Sequence, residues 1–241
     1  MACRSLPEGQ SGPAADALAR RMLSAVNASA WANTGAVTFV FAGQNRHLWD
    51  RTRGFSRVEW GDTIAWLDLS QRRGVAVREG QTLEGEDVSA AVDDAYGKWV
   101  NDTFWLNPVV KVFDEGVVRS RVDVDAKTGL LVRYTSGGRT PGDAYLWWVD
   151  ADGRPVAWQM WTSNIPIGGL EASWEGWIEL DTGAWVATRH EILFKTLELT
   201  EVRGAETLAA LLSSPTPSDP FEKLRSLCHR EDPARSCGAF N

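Results

Sequence analysis

Between Leu170 and Leu180 apolar and polar residues alternate strictly. Leu170, Ala172, Trp174, Gly176, Ile178 and Leu180 point one way; Glu171, Ser173, Glu175, Trp177 and Glu179 point the other. Period-two alternation is the mark of a strand with one buried face. Just upstream the pattern changes. Tyr145, Trp147 and Val149 oppose Leu146 and Trp148, then Val156, Trp158 and Met160 oppose Ala157 and Trp161, so both faces are apolar. Such a sheet must be covered twice or must line a cavity. Turn signals at Asp152-Gly153, across 165–169 and at Asp181-Thr182-Gly183 fold these runs into an antiparallel meander.

The same reading extends along the chain. Pro13 suits a first helical turn, and the spacing of Leu18, Met22, Ala25 and Val26 predicts an amphipathic helix over 13–27. Val37, Phe39 and Phe41 predict a strand, His47 to Trp60 an extended hairpin bending at Gly54, and Ile64 to Leu69 a further strand turning at 72–74 into Val75-Ala76-Val77. Asp87 can cap a second helix, with Val88, Ala91, Val92, Ala95 and Trp99 on one face, that stops at Asn107-Pro108. Val117 to Val124 and Leu130 to Tyr134 read as a hairpin about Lys127-Thr128-Gly129, and 136–142 as a loop. Leu197 to Val202 reads as the last strand, followed by short helices over 205–212 and from Asp219-Pro220. Helix, strands, helix, many strands and short helices together predict an α+β fold, a long antiparallel sheet curled over a few helices.

Length and composition set the frame. A chain of 241 residues, 44% hydrophobic and 24% charged, is expected to form one domain over 13–213, with 1–12 a flexible leader and 214–241 a helical tail. The net charge of −7 speaks against nucleic-acid binding, which needs a basic surface. Cys228 and Cys237 sit nine apart in the polar tail, where a disulfide would suit an oxidising compartment. Ala2-Cys3 looks like the end of a bacterial lipobox, which would make Cys3 a lipidated anchor and the membrane a partner through it.

Motifs of catalysis are sparse. Neither a G-x-S-x-G elbow nor a P-loop occurs, and His47, His190 and His229 lie far apart without ligand spacing, so neither a metal nor a cofactor is expected. Glu171, Glu175 and Glu179 share a strand face. Residues four apart on a strand lie ~13 Å apart, too far for a glycosidase pair. His190, alternating with Thr188 and Ile192, is the one candidate base; it is either a satisfied buried histidine or, with Asp102 or Asp143, the centre of an enzyme.

The opening helix, Leu48-Trp49-Asp-Arg-Thr-Arg-Gly-Phe55 with Trp60 following, the strand from Ile64, the helix and then the meander resemble the lipoprotein-localisation carriers of the bacterial envelope, the LolA/LolB-like fold. That resemblance implies an unclosed half-barrel lidded by helices around an apolar cavity for acyl chains, in the periplasm or at the outer membrane. It also implies that Arg51 or Arg53 helps to hold the lid.

Thirteen tryptophans are more than one interior of this size needs, and seven of them fall between 143 and 194. The expectation is therefore a non-enzymatic protein whose indoles line a site for a lipid, a lipoprotein acyl chain or another hydrophobic molecule. Trp66, Trp147, Trp158, Trp174 and Trp185 are the lining candidates, with His190 beside them and Arg51 or Arg53 at the rim. A glycan-binding module that stacks sugars on Trp177, between Glu175 and Glu179, is the alternative.

Overall fold

The computed structural model describes residues 4–124, 127–136, 140–213, 218–225 and 227. Cys3, Cys228 and Cys237, named above for lipidation and a disulfide, lie outside the described residues.

Helix α1 spans Pro13–Ala25 and a six-residue α2 spans Ala28–Asn33. Strands β1 (Ala36–Phe41), β2 (Asn45–Asp50), β3 (Phe55–Trp60), β4 (Thr63–Asp68), β5 (Arg73–Arg78) and β6 (Gln81–Thr82) follow as hairpins, then the long α3 (Gly85–Leu106). The second run is β7 (Val117–Val124), β8 (Lys127–Tyr134), β9 (Ala144–Val149), β10 (Pro155–Trp161), β11 (Leu170–Ser173), β12 (Ile178–Glu179), β13 (Trp185–Val186), β14 (Arg189–Ile192) and β15 (Lys195–Ala205), before α4 (Leu208–Leu212). Hydrogen bonds link thirteen strands in the order β6-β5-β4-β3-β2-β1-β15-β14-β11-β10-β9-β8-β7. Every pairing is antiparallel. Because β6 and β7 stand at opposite ends of that order, the large sheet is not closed into a barrel.

The fold gathers into two compact units that interleave along the chain. The first holds residues 1–31, 104–179 and 183–198, and the second 32–103, 180–182 and 199–241.

In the first unit the two apolar faces of β8 to β10 are both covered. One carries Leu130, Val132, Tyr145, Trp147, Trp158 and Met160 and packs under Leu18, Ala19 and Met22 of α1. The other buries Val122, Leu131, Ala144 and Leu146, with Trp148 and Trp161 half-buried beside them. Residues 4–11, expected to be a flexible leader, are tied along the sheet: the Arg4 amide donates to the Gly168 carbonyl, Gln10 exchanges backbone bonds with Arg121, and the Trp161 indole donates to the Arg4 carbonyl. A segment that satisfies its backbone on a sheet in this way is held by it.

The alternation from Leu170 to Leu180 does not make one strand. Leu170–Ser173 pairs with β10, Glu175 forms a lone bridge to Arg189, and Ile178–Glu179 turns away to pair with Trp185–Val186 in a separate ribbon. Gly176 supplies the bend with a φ of +62°, a left-handed conformation that glycine adopts without steric cost. Lys127-Thr128-Gly129, which reads as a turn, is strand instead, paired with Val122 to Val124.

In the second unit, residues of α3 up to Thr103 lie on one face of the sheet. Ala91, Val92 and Ala95 meet Val58, Ala65, Leu67 and Ala76, small side chains that let helix and strands approach closely. Gly74 of β5 belongs to this approach, since a Cβ there would meet the Trp66 carbonyl at 2.2 Å and Val92 at 3.1 Å. The opposite face packs Phe55 and Trp66 against Phe221 and Leu224 of a single helical turn. The short helix expected from Asp219 is that 3-10 turn, Glu222–Leu224.

Candidate functional site

Three of the proposed lining indoles stand in one cluster. Trp147 on β9, Trp158 on β10 and Trp174 just after β11 project from neighbouring strands into the first unit's core, where each is almost wholly buried. Their ring centroids form a triangle of 4.8 Å (Trp147 to Trp158), 4.9 Å (Trp147 to Trp174) and 4.9 Å (Trp158 to Trp174). Tilted and edge-on contacts at this spacing suit the aromatic quadrupole. Phe104, Trp105 and Tyr145 extend the cluster, Trp105 lying 4.8 Å and Tyr145 4.6 Å from Trp158. These rings meet one another.

Trp185 and Trp177 are half-buried beside them, with the Arg154 guanidinium 4.4 Å from the first ring and 5.4 Å from the second. Trp177, expected as a free platform on the polar face, thus packs against the cluster and beneath a cation. Trp66 does not join this group. It lies in the second unit, its indole N–H donating to the Pro220 carbonyl at 2.8 Å.

The polar atoms inside the cluster are unusual. The indole Nε1 atoms of Trp147, Trp158 and Trp174 and the Tyr134 hydroxyl are buried without a hydrogen-bond partner. An indole N–H can only donate, so each of the three is an N–H without an acceptor. Burial raises the Tyr134 and Tyr145 hydroxyls well above the ordinary phenol range, keeping both neutral.

His190 sits against these rings, 4.4 Å from Trp174 and 5.1 Å from Trp105. Its Nδ1 lies 2.9 Å from the Ser173 carbonyl, which only accepts, so Nδ1 carries the proton. Its Nε2 has no well-formed bond. Burial pushes the imidazole down to about 4 against the pull of the Ser173 and Trp105 carbonyls, which favour the charged ring. His190 is therefore a neutral group in an aromatic wall.

Neither acid named as its partner is free for that role. Asp102 accepts from His47 Nε2 at 2.7 Å, Asn45 at 2.8 Å and Asn101 at 2.8 Å, a buried arrangement in the second unit that ties α3 to β2. Asp143 accepts from the Thr140 hydroxyl and the Ser163 amide. Among the described residues no group of three or more His, Cys, Asp or Glu is placed to hold a metal.

The two arginines lie in the second unit. Arg51 donates to the Thr34 carbonyl and stacks on Trp49, and burial lowers its pKa. Burial alone would lower that of Arg53, but its bonds to Asp219 and Asp50 raise it instead. Arg53, Asp219, Leu208, Leu212 and Pro220 border an open groove of ≈ 380 Å³.

Sequence reasoning missed Phe104, Trp105, Tyr134 and Tyr145 as members of the cluster and Asp102 as the partner of His47. For Phe104 and Trp105 a signal existed, two adjacent large rings at the end of the helix and off the face that Trp99 occupies.

Fold and site together define a protein with a large unclosed antiparallel sheet, a few helices and one aromatic core. No protein-family model matches the chain, and no curated protein matches it in sequence. Among solved structures it is similar to a DUF1329 family protein from Desulfovibrio piger, at 13% identity over 90% of this chain and 99% of that one with a TM-score of 0.42. It is also similar to a domain assigned to outer membrane lipoprotein sorting from Vibrio parahaemolyticus, at 11% identity over 85% of this chain and 97% of that one with a TM-score of 0.34.

Proposed function

We propose that this chain is a non-enzymatic protein of the bacterial envelope that binds a lipid, a lipoprotein acyl chain or another hydrophobic ligand at the aromatic core of its first unit. The observation that supports this reading is the triangle of Trp147, Trp158 and Trp174, three touching indoles whose buried N–H groups have no acceptor. A buried donor left unpaired costs ~1–3 kcal/mol, and folded proteins tolerate few of them. A wall of rings with a small number of polar atoms is what a site for a hydrophobic guest presents. Guest binding parts the rings, burial of its apolar surface supplies the affinity, and an ester or amide oxygen can accept from the indoles.

The test is a tryptophan-fluorescence titration with monopalmitoyl glycerol and with palmitate. A saturable change in emission, weakened at least tenfold in Trp158→Leu, is expected. Unchanged emission with no lipid retained after gel filtration would overturn the reading. The glycan alternative needs a ring face open to sugar, and Trp177, set between the cluster and Arg154, does not favour it.

A further inference from the structure

The turn between β14 and β15 is built against the usual rules. Leu193 and Phe194 form a two-residue hairpin connection, and Leu193 takes a φ of +56° at the first central position, where glycine is favoured. For a bulky residue that conformation is strained. Other two-residue turns of this chain, Gly61-Asp62 and Glu79-Gly80, place a glycine in the pair. Here both residues are large and apolar, and both face solvent: Leu193 is 46% and Phe194 100% exposed. Neither residue is buried in a core.

Their surroundings indicate what they meet. The register of β11 with β14, Ala172 opposite Ile192, brings the loop of residues 162–169 to the same end of the sheet as this turn. Ile165, Pro166 and Ile167 lie in that loop, and its Gly168 carbonyl holds the Arg4 amide. Arg4 and Lys195 are both exposed, Glu191 is engaged by Arg189, and Glu171, which the Ala172–Ile192 register sets beside Leu193, accepts from Gln159. An apolar point with Lys195 in its closing strand pair and Arg4 on the neighbouring loop matches an anionic lipid surface, with the apolar side chains entering the acyl boundary and the cations resting among the headgroups.

We infer that the Leu193-Phe194 turn is a membrane-docking tip that inserts into the surface of an anionic bilayer. Lipidation at Cys3 is not required for this contact, and ligand binding in the aromatic core is a separate matter. The tip draws the chain onto the leaflet, and Arg4 and Lys195 make the attraction depend on salt.

The experiment uses the full chain carrying Cys3→Ser, so that no lipid anchor contributes, in flotation with vesicles of phosphatidylcholine and phosphatidylglycerol. The Cys3→Ser chain should float with anionic vesicles, and raising the salt should weaken it several-fold. Leu193→Gly combined with Phe194→Ser should cut vesicle binding at least tenfold while leaving the thermal midpoint unchanged or higher, because glycine relieves the strained turn. Loss of function together with an equal or better fold is not what a structural role gives. Equal flotation of the two chains would overturn the inference. So would a dimer in sedimentation that the double substitution dissociates, since the tip would then serve a second copy of the chain.

Discussion

The two units solve the problem of a filled interior with opposite materials. The first stacks Trp147, Trp158, Trp174 and Trp105 with Tyr145 and Phe104, ring on ring; the second presses Ala91 and Ala95 of α3 onto Ala65, Ala76 and Val58. Each also buries one histidine. His47 stacks on Phe39 and faces the Asp102 carboxylate, which draws two asparagine donors as well, although its Nδ1 remains without a partner. His190 faces indoles and, among the described residues, has no carboxylate in hydrogen-bonding reach. Small residues and a charge-assisted clasp make an interface that closes tightly. Large rings with unmatched donors make one that can take a different partner. On the proposed reading this difference is what makes the first unit the ligand-binding one.

The largest expected effect breaks the clasp. Asp102→Ala leaves His47, Asn45 and Asn101 without their shared acceptor, and a buried pair that loses one member costs about 3–5 kcal/mol. Urea unfolding should show that loss, and a loss below about 1 kcal/mol would mean that the clasp is not what fixes the second unit.

The next effect sharpens the contrast between the histidines. With a folded value of about 4 against 6.5 for the free side chain, His190 binds its proton less readily in the native state. Its contribution is fully present above pH 6.5 and is lost as the pH falls from there through about 4, for a total of about 3 kcal/mol. His190→Gln should flatten that part of the stability profile. An unchanged slope would place the acid sensitivity elsewhere.

Much of the fold was legible from pattern alone. The periodicity of Leu18 and Met22, and of Ala91, Val92 and Ala95, marks two helices that the structure places at Pro13–Ala25 and Gly85–Leu106. Gly43, Gly54 and Gly61 mark hairpin bends between β1 and β4. What escaped is long-range. The break at Gly176 depends on Glu175 meeting Arg189, and the course of residues 4–11 depends on Arg121 and Gly168, pairings that period-two counting does not contain. The six-residue α2 is too short to carry a periodic signal.

The site followed the same rule. That Trp147, Trp158 and Trp174 point inward could be read from alternation. That they touch one another, take in Trp105 and His190, and leave Trp66 in another core could not. The excess of indole suggested a hollow; that three of those rings would touch one another was not in the pattern.

Ligand binding requires the aromatic core to give way to a guest, and native mass spectrometry of the protein isolated from bacterial membranes tests this most directly. The expected spectrum shows a fraction of the protein with an added mass matching one lipid or acylated molecule, released by collision and absent in Trp158→Leu. A protein of bare mass that gains none when incubated with such lipids would contradict it.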